Sequence, residues 1–141
     1  MISLFTYLIA LVAAPTSLYQ SDMKAEEPKL LEWKKETHDF GNVTEGTKAK
    51  YTFIFTNKGT EPAVITSANA SCGCTVPSYS KEPVLAGKDG SITAIFDSSG
   101  KHGNQTKTIT VITNVGTYYL NIKCNVVDKV VQPKSPVQVG E

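Results

Sequence analysis

Ala49-Lys50-Tyr51-Thr52-Phe53-Ile54-Phe55-Thr56-Asn57 (AKYTFIFTN) decides the fold class. Tyr51, Phe53 and Phe55 share one parity and alternate with Thr52, Ile54 and Thr56. Period-two alternation of aromatic and β-branched residues marks a strand with one buried face. Asn57-Lys58-Gly59 then supplies a turn. Working outward, Val64 to Ala68 and Ser91 to Asp97 read as strands, the second preceded by the turn residues Ala86-Gly87-Lys88-Asp89-Gly90. Lys107 to Thr113 is a further strand, joined through Asn114-Val115-Gly116 to one at Thr117 to Val127, where Leu120, Ile122, Cys124 and Val126 share a face. Leu30 to Trp33 and Thr37 to Phe40 give one or two edge strands. No window carries helical spacing of apolar residues over ten or more positions, and no internal repeat is present. The expectation is an all-β protein, a sandwich of about seven strands over residues 30–127.

The 141 residues suit one domain with a core, and the net charge is +1. No basic stripe with interleaved aromatics occurs, which argues against a nucleic-acid partner. Ile2 to Ala14 is almost wholly apolar and no charge appears before Asp22. That run is too short for a membrane span, which needs about 20 residues, and matches the apolar part of an export signal over residues 1–20. Two features depart from an ordinary signal: no Lys or Arg precedes the run, and Pro15 follows the small residues Val12-Ala13-Ala14. A buried strand or helix is the alternative. No cysteine lies near to carry a lipid anchor. Residues 21–29 read as a polar spacer and residues 128–141, with Pro133 and Pro136, as a flexible tail. The expectation is an exported protein, periplasmic or extracellular, with no membrane span once the signal is removed.

Cys72-Gly73-Cys74 holds two of the three cysteines. Residues two apart in an extended chain lie near 7 Å, whereas a disulfide wants about 5.5–6 Å between Cα atoms. The pair can bond only if Gly73 folds the backbone tightly, and a bond so strained would suit a labile, redox-active pair. A reactive thiol also needs a helix N-terminus or a neighbouring cation, and the nearest following lysine is Lys81. A metal site would use the two thiolates with His38, His102 or Cys124, copper ahead of zinc because one intervening residue is unusual for structural zinc. The plain reading is favoured: both cysteines are small apolar residues at a bend that closes a strand and opens a loop marked by Pro77. Cys124 shares parity with core positions and reads as a buried thiol.

His38 and Asp39 are neighbours on a strand and point to opposite faces, so they form no acid–base pair. Asp39 instead accepts backbone hydrogen bonds near the Gly41 turn. A nucleophile elbow and a phosphate-cradling loop are both missing from the sequence. Asp97 to Asn104 is a polar loop that reads as a hairpin connection, with a partner or a calcium ion as the functional alternative. Candidate partner-binding residues are Ser78, Tyr79 and Lys81 in the loop after the cysteines, and Lys101, His102 and Asn104 in the later loop. Sequons at Asn42, Asn69 and Asn104 matter only where a glycosylation pathway acts on them. Exposed Thr and Asn residues suit a surface that meets proteins or polysaccharides.

His38-Asp39-Phe40-Gly41, Tyr51-x-Phe53-x-Phe55-x-Asn57-x-Gly59 and Ser71-Cys72-Gly73-Cys74-Thr75 occur in order. Gly87-x-x-Gly90-x-Ile92, Phe96-Asp97 and Lys107-Thr108-Ile109-Thr110-Val111-x-Thr113-Asn114 follow. Together they resemble the domain of unknown function 1573 family, and more distantly the domains of major sperm protein and hydin-type ciliary proteins. The resemblance covers about residues 37–127. It implies an immunoglobulin-like β-sandwich in an exported bacterial protein and brings no known reaction. Near Cys124 that family usually has glycine, so no role for this thiol carries over. Two functions are therefore in view. One is a non-enzymatic module, without cofactor, that binds or scaffolds other envelope or extracellular proteins. The other is a redox or copper-binding thiol site at Cys72 and Cys74.

Overall fold

The computed structural model describes residues 29–130, so the export-like segment, nearly all of the spacer and the tail from residue 131 lie outside the described residues. Eight strands follow one another: β1 (Leu31–Trp33), β2 (Thr37–Thr44), β3 (Lys48–Asn57), β4 (Ile65–Ala70), β5 (Thr75–Tyr79), β6 (Asp89–Asp97), β7 (Gly103–Thr113) and β8 (Gly116–Val127). They form two four-stranded sheets, the first in the order β1-β3-β6-β5 and the second in the order β2-β8-β7-β4. All pairings are antiparallel except β2 with β8, which run parallel. The fold is an all-β, immunoglobulin-like sandwich, as the strand pattern predicts.

The alternation in β3 is what buries the core. Phe53 and Phe55 are wholly buried, whereas Thr52 and Ile54 face outward. Across the sheet Phe53 pairs with Ile92 and Tyr51 with Ala94, and Phe96 continues the same inner face. The second sheet meets them with Ile109 and Val111 of β7 and Leu120 and Ile122 of β8, all essentially inaccessible. Each such side chain contributes about 1.5–3 kcal/mol of burial. Phe55 has room because its partner is Gly90, where an added Cβ would run into the Phe55 ring and Val84.

The sequence reading missed β5. Pro77 suggested a loop, yet β5 is an edge strand. Cys74 O accepts from Asp97 N at 2.8 Å, which makes Thr75 and Phe96 a non-hydrogen-bonded pair. Pro77, two residues on, therefore turns its ring nitrogen to the open edge and removes no ladder bond. Strand β2 also extends beyond the expected Phe40, because Gly41 (φ +67°) forms a bulge and pairing resumes at Asn42 with Asn125.

Two buried polar residues hold the ends. At one end Asn57 donates through Nδ2 to Glu61 O (2.8 Å) and Val84 O (2.9 Å), while its Oδ1 accepts from Gly59 N (2.9 Å). At the other end Ser98 Oγ accepts from Thr47 N (2.9 Å) and lies 2.8 Å from Thr44 O. Replacing Asn57 with Ala strips the side-chain partner from Glu61 O and Gly59 N, while Val84 O still accepts from Ala63 N (2.9 Å), and each unsatisfied group costs about 1–3 kcal/mol. Asn57→Ala is expected to lower unfolding stability by at least about 2 kcal/mol in urea titration, and a loss under about 0.5 kcal/mol would show that other contacts hold those loops.

Candidate functional site

Strand β4 ends in the second sheet and β5 begins in the first, so residues 71–74 must carry the chain between layers. Ser71 N donates to Thr108 O at 2.8 Å and closes β4, and the Asp97–Cys74 bond opens β5. Between these anchors Cys72 and Cys74 are joined by a disulfide, with their Cα atoms 5.3 Å apart. The bend expected at this motif is present, and of the alternatives open for the two sulfurs it is the disulfide that forms. A strand, not a loop, follows it. Gly73 is the centre of the tight fold expected of it, inside a turn where Thr75 N donates to Cys72 O at 3.4 Å. It has no positive φ, and an added Cβ would meet nothing within 4 Å. This turn, pinned by a ladder bond on each side, brings the sulfurs together. Both cysteines are partly exposed, Cys74 packs against the core, and the buried Thr75 hydroxyl lies 3.9 Å from Cys72 Sγ. That hydroxyl is the donor, since a disulfide sulfur carries no proton.

The metal candidates are not brought together. Cys72 and Cys74 sit at the β4 edge of the second sheet, whereas His38 is on β2 at the opposite edge. His102 pairs with Asp128 (3.3 Å) on the surface. Among the described residues no group of three or more His, Cys, Asp or Glu side chains could hold a metal ion.

The candidate partner residues fall at two ends. Lys101, His102 and Asn104 lie beside the disulfide end, with Asn104 already within β7. Ser78 and Tyr79 are in β5, and β5 leads Lys81 to the opposite end. Tyr79 is half-buried, with its hydroxyl donating to Thr66 O at 3.3 Å. Cys124 is buried, and desolvation pushes its thiol pKa up.

His38 stacks on Tyr51, with ring centroids 3.6 Å apart and 8° between planes, and meets Phe40 edge-on. Asp39 on the other face accepts from Gly41 N at 2.8 Å, so the two residues act separately as expected. His38 Nδ1 is buried without a hydrogen-bond partner. Burial, and secondarily the Lys35 charge, lowers its pKa from 6.5.

Two surface hollows were invisible in the sequence. One, of about 240 Å³, lies where the β2 bulge opens beside β8 and is lined by Asp39, Asn42, Asn104, Thr106, Lys123 and Asn125, among others. The other, of about 340 Å³, lies at the β5–β6 connection against Ile65, Pro83, Val84 and Leu85. Cross-strand register assembles both, and no local motif marks them.

A family model described as "Protein of unknown function (DUF1573)" matches residues 31–126. The chain belongs to the DUF1573 family. No curated protein matches this DUF1573 chain by sequence. Among solved structures it is similar to a protein of unknown function from Porphyromonas gingivalis W83, at 15% identity and TM-score 0.60, over 68% of this chain and 46% of that one. A PapD-like domain of human CEP192 is similar at 10% identity and TM-score 0.55, over 92% and 99% of the two chains. The secreted serine protease VesC from Vibrio cholerae is similar at 13% identity and TM-score 0.56, over 72% of this chain and 24% of the protease. These likenesses carry the fold alone. No helix among the described residues is long and apolar enough to cross a membrane.

A lowered His38 pKa means that the unfolded chain takes up a proton more readily than the folded one. Stability is then full above pH 6.5 and falls as pH drops through that value toward the lowered one. The urea midpoint is expected to fall between pH 7.5 and pH 5, and to fall less in His38→Phe. Equal falls in both proteins would remove His38 as the cause.

Proposed function

We propose that this DUF1573 chain is an exported, non-enzymatic module that docks another protein of the bacterial cell envelope. The observation that carries this reading is the hollow at the β5–β6 connection. Leu85 is 57% exposed at its rim and lines it with Ile65, Pro83 and Val84, beside the polar Ser80, Glu82, Lys88 and Asp89. Apolar side chains held out at a concavity are the pattern of a docking surface. Strand addition is a poorer route. Strand β1 has three residues, β2 carries a bulge, β4 breaks register between Ile65 and Ser67, and β5 carries Pro77 at its edge. Recognition by side chains is what remains.

Support for the absence of catalysis comes from the displaced titrations, each of which has a local structural cause. The Thr56 hydroxyl holds Asp89 below its usual range, and bonds from Ser99 do the same for Asp97. His38 and Cys124 are displaced chiefly by burial.

A photo-crosslinker placed at Leu85, with Lys50 on the outer face of the first sheet as comparator, tests the docking reading in the native envelope. One defined protein captured at Leu85 and not at Lys50, with capture lost in a Val84→Asp background that still melts cooperatively, is the expected result. Equal capture at both positions would refute it.

The disulfide supports a second reading, thiol–disulfide exchange. A partner thiolate would attack one sulfur, the other would leave as a thiolate, and the mixed disulfide would resolve as the partner's second thiol is oxidised. Alkylation and mass analysis after equilibration across glutathione ratios tests this. Exchange predicts half-reduction within the poise of an oxidising compartment, about −180 to −210 mV, whereas a structural bond stays oxidised there because its midpoint lies below about −300 mV.

A further inference from the structure

We infer that the outer face of the second sheet binds a neutral oligosaccharide, laid along β8 from Tyr119 to the hollow at Asn125. Residues 117, 119, 121, 123 and 125 alternate with buried ones and so share this outer face. Tyr119 is 60% exposed, opposite Thr110 of β7, which in turn pairs with Asn69 of β4. From Tyr119 to Asn125 the strand advances about 20 Å, longer than a single sugar ring.

The chemistry of this face selects the ligand class. Its side chains are chiefly hydroxyls and amides, and within the four strands its charges are one Asp39 and one Lys123, on facing positions of β2 and β8. The two signs cancel, which gives no preference for an anion, a cation or a nucleic acid. The face also has too little exposed apolar area to form the core of a protein interface, Ile112 being its main aliphatic contribution. What remains is a ligand that is uncharged, offers donors and acceptors in equal measure, and has an apolar C–H face for an aromatic ring.

The hollow supplies the polar half of that recognition. The Gly41 bulge displaces β2 from β8 between Asp39 and Asn42, which opens about 240 Å³ over Lys123, Cys124 and Asn125. Asn125 Nδ2 donates to Asn42 Oδ1 at 3.0 Å, which fixes both amides and leaves the Asn42 NH₂ and the Asn125 carbonyl oxygen for a ligand. Asp39 is fixed in the same way, with one oxygen committed to Gly41 N at 2.8 Å and the other left over. Amides and a carboxylate held in place before binding lose little entropy to a hydroxyl-rich ligand. One stretch further along, Thr108 Oγ1 and Asn121 Oδ1 are 2.8 Å apart and continue the polar track toward Tyr119.

Titration of ¹⁵N-labelled protein with cellotetraose, chitotetraose and maltotetraose tests this inference. At least one neutral tetrasaccharide is expected to shift the amides of Lys123 to Asn125 and of Asn104 to Thr106. Tyr119→Ala and Asn125→Ala, both on the solvent side of the sheet, are each expected to weaken binding by about tenfold or more while leaving the amide spectrum folded. No shift from any of the three sugars would overturn the inference, as would shifts confined to other faces or unaffected by both substitutions. Tighter binding of a tetragalacturonate probe than of the neutral sugars would overturn the neutral assignment. The docking reading stands apart, because Tyr119→Ala and Asn125→Ala leave the Leu85 hollow untouched.

Discussion

Phe53 and Phe55 lie between the two sheets with no accessible surface, and the register of β3 against β6 keeps them there. A slip of one residue would turn both rings into water and bring Thr52 and Ile54 inside. Burial of those rings therefore sets the pairing of β3, which sets Gly90 opposite Phe55 and Ala94 opposite Tyr51. With the first sheet in register, the apolar parities of β7 and β8 have one surface on which to pack. The sandwich is in this sense a consequence of two phenylalanines two residues apart.

Most of the residues that mark the family serve this frame. Asn57 is buried and bonds three backbone groups of the adjoining loops. Gly90 vacates the volume that the Phe55 ring fills. Gly41 takes the left-handed conformation of the β2 bulge, and Asp39 caps it. Each of these residue types has a mechanical reason in the fold. The Cys72–Cys74 bond differs, because the layer crossing is already anchored by ladder bonds at Ser71 and Cys74. A covalent link there ties residues that the backbone has already brought near, so the denatured state loses little freedom through so short a loop. That is why exchange chemistry stays in view beside docking.

The surfaces divide by chemistry. The β5–β6 end holds out Leu85 at a hollow of mixed apolar and charged lining, whereas the outer face of the second sheet is chiefly hydroxyl and amide with Tyr119 at one end. The proposed docking and glycan surfaces are therefore distinct in position as well as in chemistry.

Strand alternation, turn chemistry and the inward parity of Cys124 were legible because they are local: a period of two and a glycine or asparagine at a turn need no knowledge of neighbours. The separation of His38 from Asp39 was legible for the same reason. Strand β5 was hidden because Pro77 is tolerated only at an edge, and edge position is a property of the sheet. The disulfide was undecided because its Cα separation depends on where the chain changes layers. Asn42 lies far in the chain from Lys123 and Asn125, and the three line one hollow only through the parallel pairing of β2 with β8. The sequence by itself determined which residues face inward, through side-chain hydrophobicity read at period two. The tertiary structure alone decided which outward residues meet, because register and bulges, not composition, set distances across strands.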